Sequence, residues 1–508
     1  MGAFEGLLYG LSIAFSGENL LAALAGALAG TAIGVLPGLG PVAGVAMVLP
    51  LTYALGPTAG LIMMAGIYYG AMYGGSTTAV LINMPGESAS VMTCVDGYQL
   101  TKKGRAGAVL TIVAVGSFVG GTLSVIGVTL FAPPLAEFAI LFGPAEFFAL
   151  TAGGLLLFSR ISGGSFAAGI FPMALGLVLS TVGQEAVTGQ NRFTFGDGDL
   201  VMGIELVGLV VGLYGLAEIM SVVDSLRAQN KPITVGLRNM LPTKEEWRRS
   251  FAPYFRGTGL GFFFGLLPGP SATLSSFASY RLEKAVARNR EEMGQGAIEG
   301  VAGPETANNA AATSTMVPLL ALGIPFGSVA ALMLAGMMVH GVQPGPMMMS
   351  QHPEVFWGVI ASMVIGNVVL LILNIPFIAV WVSLLRIPTH VFLPIILVMA
   401  TVGSYSVRNS MFDVYVLLAV GILGYILRKL DFQLAPMVVG LVLGPLIEKH
   451  LREGLFMNFG EISVFYGSSL ALGIWAIVLF ILFLGPLLRL FRRLFEFKSK
   501  ALVLDNNE

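Results

Sequence analysis

The chain has 508 residues, 56% of them hydrophobic and 11% charged, with 66 glycines and a net charge of −1. A soluble domain carries about 25% charged residues, so this chain has too little polar surface to coat a water-soluble body, and a soluble enzyme is excluded. Sparse bases leave no phosphate-tracking patch, so no nucleic acid is expected as partner, and the single cysteine, Cys94, excludes an intramolecular disulfide framework.

At about 20 apolar residues per span, the length accommodates about 10–14 transmembrane segments. The expected fold is an all-α polytopic integral membrane protein in contact with lipid. His340, His352, His390 and His450 are scattered without metal-ligand spacing, so no resident metal or cofactor is expected. Met1 to Tyr9 has no basic region and no small-residue cleavage site, which predicts no removable signal peptide.

In chain order, Phe4–Phe15 is apolar but short for a span and is expected in the interface. Leu20–Leu36 is a first span, rich in the small residues that let helices approach closely in lipid. The run Gly34-Val35-Leu36-Pro37-Gly38-Leu39-Gly40-Pro41 then predicts a helix break at Pro37 and Gly38, because proline removes a backbone donor and glycine favours irregular conformations. Further apolar stretches cover 42–55, 57–84, 106–131, 144–182 with a break near Gly163, and 200–222. Asp224–Arg256 is polar and holds seven bases, from Arg227 to Arg256, so it is expected in the cytoplasm, together with the tail carrying Arg489, Arg492, Arg493, Lys498 and Lys500 and the turn Lys102, Lys103, Arg105. The domain reading is a first transmembrane repeat over 1–223, a cytoplasmic linker over 224–256, a second repeat over 257–488 and a cytoplasmic tail over 489–508.

The second half restarts the pattern. Gly265-Leu266-Leu267-Pro268-Gly269-Pro270 repeats the first break roughly 230 residues later. Leu81-Ile82-Asn83-Met84-Pro85-Gly86-Glu87-Ser88 resembles Leu322-Gly323-Ile324-Pro325-Phe326-Gly327-Ser328. Two matches at similar offsets indicate an internal duplication. Each half carries two broken hydrophobic segments, the sequence pointer to the binding site of a repeat-built secondary transporter. Charge adds a direction. The turn Thr52–Thr58 is uncharged where the second half has Arg281, Lys284, Arg288 and Arg290, whereas Lys102, Lys103 and Arg105 face a base-free His340–Pro353. Equivalent loops of opposite bias predict two repeats of inverted topology.

The segment from Tyr68 to Thr78, leading to Asn83–Ser88, and the segment Gly303–Asn309, leading through Thr313-Ser314-Thr315 to Pro325, are small and polar, with Glu87 and Glu305 the only charges. Both are expected to be broken. Where a helix stops inside the membrane, its last carbonyls can hold a cation and the first amides of the next half-helix an anion. The candidate substrate- and ion-binding set is therefore Ser76, Thr77, Asn83, Pro85, Gly86 and Ser88 from one half. Glu305, Thr306, Asn308, Asn309, Thr313, Ser314, Thr315 and Pro325 come from the other, with Pro37, Gly38, Pro268 and Gly269 as helix-break residues. Such a shell suits a carboxylate with a coupling sodium ion or proton. The plainer reading of the same residues is helix packing and interhelical hydrogen bonding, with Glu87 and Glu305 as helix N-terminal carboxylates.

The block Tyr68–Ser88, followed by Asp96-Gly97-Tyr98 and Lys103-Gly104-Arg105-Ala106-Gly107, together with the Gly34–Gly40 break and Gly303–Ala311, resembles the large transmembrane subunit of tripartite tricarboxylate transporters, the TctA type. The resemblance implies a bacterial inner-membrane protein beside a small transmembrane subunit. It also implies a periplasmic solute-binding protein that delivers citrate or a related carboxylate, and import driven by a sodium or proton gradient. Analogy with other repeat-built carboxylate transporters adds alternating access of elevator type. In keeping with a carrier not driven by ATP, no G-x-x-x-x-G-K-[ST] phosphate loop is present. The alternatives from other classes are a passive anion channel and a membrane-embedded enzyme. The second would need a nucleophile with a base, a carboxylate pair or a metal cluster, and none is visible in the sequence.

Overall fold

The computed structural model describes residues 2–36, 39–161, 166–185, 188–225, 240–385 and 389–483. Pro37 and Gly38, the break near Gly163, the middle of the linker and the basic C-terminal tail lie outside the described residues.

The described chain is helical apart from a two-stranded antiparallel ribbon, β1 (Gly183–Gln184) and β2 (Asn191–Arg192). The first half comprises α1 (Ala3–Ala14), α2 (Gly17–Val35), α3 (Gly40–Thr52), α4 (Pro57–Ile82), α5 (Val91–Lys102), α6 (Ala106–Ala139), α7 (Pro144–Ile161), α8 (Phe166–Ser180), α9 (Gly198–Val201), α10 (Leu206–Val211) and α11 (Ala217–Ser225). The second comprises α12 (Lys244–Gly265), α13 (Ser271–Val286), α14 (Glu299–Ser314), α15 (Met316–Leu322), α16 (Ser328–Val339), α17 (Met348–Gln351), α18 (Pro353–Asn374), α19 (Ile378–Leu384), α20 (Thr389–Arg408), α21 (Met411–Lys429), α22 (Ala435–Met457) and α23 (Val464–Gly467). An apolar helix, Ser469–Phe483, follows. By length and apolarity α2, α6, α18 and α21 can each cross a membrane, and seven shorter apolar helices accompany them. The protein is an all-α polytopic membrane protein, as the composition predicts.

Two local features depart from the expected boundaries. α12 begins inside the polar linker because Thr243 and Glu246 form a capping box: the Thr243 N–H donates to Glu246 Oε2 at 2.6 Å and the Glu246 N–H to Thr243 Oγ1 at 3.2 Å. Gly303–Asn309 is not a break. It lies within the continuous helix α14, and Tyr68–Thr78 likewise lies within the 26-residue α4. Glu305 therefore stands in a helix interior and is not an N-terminal carboxylate.

One packing register is used twice. A Cβ on Gly26, Gly30 or Gly34 of α2 would meet the carbonyl oxygens of Met63, Ile67 and Ala71 of α4 at 2.4, 2.5 and 2.3 Å. On Gly257, Gly261 and Gly265 of α12 it would meet those of Gly303, Ala307 and Ala311 at 2.5, 2.2 and 2.5 Å. The three glycines in each half are equally spaced, and so are the three carbonyls. Numbers rise together on both helices of each pair, so α2 runs parallel to α4 and α12 parallel to α14. In lipid, where apolar burial gives no net driving force between helices, backbone contact of this kind is what holds a pair together.

α4 and α14 form the centre, flanked by α2, α12, α6 and α18, with α5 and α13 beside them. α7, α8 and α22 form a second group, and α10, α20 and α21 a third. These reach the centre chiefly through α3 and α16.

The turns sort by charge. Lys103 Nζ donates to the Gln295 carbonyl at 2.7 Å, Arg105 Nε to Glu246 Oε1 at 2.9 Å, and Arg249 to both Glu292 and Glu299, so the turn after α5 lies against the α13–α14 loop. Asp96 fixes that loop from within: its Oδ1 accepts the N–H groups of Gly294, Gly296 and Ala297 at 2.7–2.9 Å. The base-free turns meet separately, with His340 Nε2 3.3 Å from Thr52 Oγ1.

The seam makes a sharp prediction. Gly261→Ala should lower the thermal midpoint of the detergent-solubilised protein, because its methyl would lie 2.2 Å from the Ala307 oxygen. Gly259→Ala, on the same helix with nothing within 4 Å, should leave it unchanged or raise it, through helix propensity worth up to about 1 kcal/mol.

Candidate functional site

The site grows from the helix breaks. α4 ends at Ile82 because Asn83 caps it in the left-handed region, φ 56° and ψ 33°, which asparagine tolerates better than most residues. Pro85 follows, Glu87 is extended, and a 3₁₀ turn over Ser88–Ser90 leads into α5. The second half repeats the device: Gly323 caps α15 at φ 70° and ψ 26°, Pro325 follows, Gly327 is extended at φ −159°, and α16 starts at Ser328. In the first half the chain folds back on itself. A Cβ on Gly86 would lie 2.4 Å from Gly75 Cα and 2.5 Å from the Gly34 oxygen, and Thr101 Oγ1 then donates to the Val80 carbonyl at 2.8 Å. α5 thus runs beside the last turns of α4.

Within each half the two breaks meet. Gly40 approaches the Gly86 carbonyl, and the Gly269 N–H donates to the Phe326 carbonyl at 3.0 Å. The halves meet in turn where Ser88 Oγ lies 2.8 Å from Thr273 Oγ1. The N-terminal ends of α3, α13 and α16 and of the turn opening α5 are thereby gathered around one junction. Ser88 and Asn83 remain exposed there. Each α-helix N-terminus carries unpaired N–H groups and a partial positive charge of about half a unit. No lysine or arginine occurs in 34–40, 83–90, 266–273 or 323–328. The junction is therefore a place where backbone dipoles alone can receive negative charge.

Beside it lies a buried polar cluster. Glu305, fully buried on α14, accepts from Ser76 Oγ of α4 at 2.6 Å, from Thr93 Oγ1 of α5 and from Asn308 Nδ2 at 3.1 Å. Asn309 Nδ2 contacts Asn308 Oδ1 at 2.6 Å, Ser117 Oγ of α6 at 2.8 Å and the Glu305 carbonyl at 3.0 Å. Glu87 lies against Gly75, and its Oε1 is buried without a partner.

The expected residues fall into three places. Asn83, Pro85, Gly86, Ser88, Pro268, Gly269 and Pro325 stand at the breaks, and Ser76, Thr77, Glu305, Asn308 and Asn309 stand in or beside the buried cluster. Thr306, Thr313, Ser314 and Thr315 bond back to their own helix, through the carbonyls of Ala302, Asn309, Ala311 and Ala312, and Thr306 also packs on Gly116 and Gly120 of α6. Their contacts are those of helix packing. The structure adds Thr93, Ser117 and Thr273, whose partners lie in the other half of the chain. The position equivalent to Thr273 in the first half is Val42, so the repeat gives no signal for it.

A bundle of broken helices meeting at a polar junction inside an apolar body defines a multi-pass membrane protein with an interior site. Residues 20–439 match the model of the tripartite tricarboxylate transporter TctA family. The chain belongs to that family. It is 45% identical over 477 residues to an uncharacterized 52.8 kDa protein in the TAR-I ttuC' 3' region of Agrobacterium vitis, covering 94% of this chain and 95% of that one. It is also 47% identical over 227 residues to an uncharacterized protein in the TAR-II ttuC' 3' region of the same organism, covering 44% of this chain and 94% of that one. No solved structure matches.

Contact between the halves can be tested covalently. With Cys94 replaced by Ala, Ser88→Cys and Thr273→Cys should form a disulfide on mild oxidation, since their side-chain oxygens are 2.8 Å apart. The two fragments of a chain cut at a protease site inserted in the linker should then co-migrate until reduced. Fragments that separate without reduction would place the breaks apart.

Proposed function

We propose that this chain is the large translocation subunit of a binding-protein-dependent secondary transporter in the bacterial inner membrane. It imports tricarboxylates such as citrate, or related carboxylates, driven by a sodium or proton gradient. The observation that carries this reading is the convergence of helix N-termini at Ser88 and Thr273 without any basic side chain. A multiply charged anion held by several backbone dipoles is bound without a permanent buried cation, which would be costly at membrane depth and would hinder release. A small transmembrane subunit and a periplasmic binding protein complete the system, and family membership supports both. The binding protein captures the carboxylate and presents it to the base-free face.

Inverted topology is part of the proposal. The turn after α5 and the α13–α14 loop share one face, and Thr52 and His340 share another. By the repeat register, the turn after α5 corresponds to the one after α16, and the α3–α4 loop to the α13–α14 loop. Loops that correspond in sequence thus lie with opposite partners, as two inverted repeats require. The basic face is cytoplasmic by the positive-inside rule. The central bundle then moves against the α7–α8–α22 and α10–α20–α21 groups, giving alternating access of elevator type.

Proteoliposomes holding this chain with its small subunit, supplied with binding protein and labelled citrate, test the reading. Uptake should require the binding protein and an inward cation gradient, and Ser88→Ala with Thr273→Ala should lower it at unchanged insertion. Uptake indifferent to both sodium and proton gradients would contradict coupling. In the Cys94→Ala background, single cysteines at Ala54 and at Arg288, both exposed, should label from opposite sides of the membrane. Labelling from one side would remove the inverted topology.

A further inference from the structure

Glu305 presents a problem of charge. It has no exposed surface, and its side-chain partners, Ser76, Thr93 and Asn308, are all neutral. The ionisable groups on the elements packed against α14 do not help. Arg256 of α12 is engaged by Glu283 of α13, and Asp96 of α5 by backbone amides and Tyr280 of α13. The other bases on these elements, Lys102 of α5, Lys244 and Arg248 of α12 and Arg281 and Lys284 of α13, are exposed, and what remains inside is acidic or weakly acidic: Glu87 of the 3₁₀ turn, Cys94 of α5, Tyr254 of α12 and the α4 tyrosines Tyr68, Tyr69 and Tyr73. Glu299, on α14 itself, pairs with Arg249 of α12 at the cytoplasmic end. A carboxylate ionised throughout the cycle in such surroundings is expensive. One that gains and loses a proton has a function.

Two further observations fit a proton. Ser76 Oγ lies 2.6 Å from Glu305 Oε2 and 3.3 Å from the Met72 carbonyl, so its single hydrogen has two acceptors. When Glu305 is ionised, Ser76 donates to it. When Glu305 is protonated, its O–H donates to Ser76 Oγ and the Ser76 hydrogen turns to Met72. Both charge states are hydrogen-bonded without moving a helix. Next to Ser76, a narrow cleft is lined by Tyr73, Ser76, Thr77 and Asn374 together with the apolar Leu110, Val113, Ala114 and Ile378. Asn374 is 3% exposed and its Oδ1 has no partner, so a water entering this cleft would find an unpaired acceptor there. A transported sodium ion is usually coordinated by carbonyls of unwound helix, whereas α14 is continuous through Glu305 and Asn308 Oδ1 is taken by Asn309.

We propose that Glu305 is the carrier of the coupling proton, with Ser76 as its two-way hydrogen-bond partner and the Tyr73–Asn374 cleft as the water route to it. One proton passes from water to the carboxylate, giving a neutral carboxylic acid, and returns to water after the site has changed sides; only hydrogen bonds rearrange otherwise. This inference rests on the transport reading above, so its test has one arm that does not.

In proteoliposomes with the small subunit and binding protein, wild type should concentrate labelled citrate under an inward proton gradient in the absence of sodium. Glu305→Gln should lose accumulation, and whatever exchange of internal for external citrate it retains should no longer respond to pH. In the infrared spectrum of the purified protein, a protonated-carboxyl band that titrates with pH in wild type should be missing in Glu305→Gln and retained in Glu87→Gln. Accumulation by Glu305→Gln equal to wild type, sodium-driven uptake insensitive to pH, or a titrating band unchanged by the substitution would each overturn the assignment. If neither protein moves citrate, the transport reading fails, and the infrared band alone decides whether Glu305 holds an exchangeable proton.

Discussion

A helix that stops inside a bilayer releases backbone amides and carbonyls where no water can satisfy them, and the rest of this structure follows from that constraint. The described parts of the breaks pack against backbone. Gly86 folds against Gly75 and the Gly34 carbonyl, and Gly269 donates to the Phe326 carbonyl. Such cover is possible only because the supporting helices come to backbone contact, which the two glycine rows on α2 and α12 permit. Once the breaks are paired, the helix N-termini beyond them face one another, and no basic residue stands among them. The junction is thus a consequence of how the breaks are packed.

The same economy governs charge. Asp96, Lys103, Arg105 and Arg249 bind the turn after α5 to the second half. Near Thr52 and His340 the contact is a longer hydrogen bond, and Arg408 there pairs with Asp413 and Glu205. Inside, Glu305 and Glu87 stand among hydroxyls and amides.

Much of this was legible in the chain. The composition gives the membrane class, and the Pro-Gly pairs locate the breaks at Asn83–Glu87, Leu266–Pro270 and Gly323–Gly327. The repeated motifs expose the duplication before any packing is known. Other features were misread for identifiable reasons. Gly303-Pro304 does not interrupt α14, although Pro304 removes the N–H that would bond the Gly300 carbonyl, because α12, α13 and α6 pack closely against the helix. The glycines of Tyr68–Thr78 mark close approach to α2 and not a bend. Thr93, Ser117 and Thr273 could not be found from spacing, since each meets a residue that only tertiary folding brings near. Thr306, Thr313, Ser314 and Thr315 bond to carbonyls of their own helix, a geometry that composition cannot show.

The central claim is that a carboxylate is held by helix ends and not by side-chain cations. A cryo-electron microscopy structure of the full chain with its small subunit in saturating citrate tests this most directly. The account predicts citrate density at the junction of Gly86, Ser88, Gly269 and Thr273, with its carboxylates facing the backbone amides that open α5 and α13. Density at the Lys103–Arg249 face, or elsewhere against paired arginines with the junction unoccupied, would contradict it.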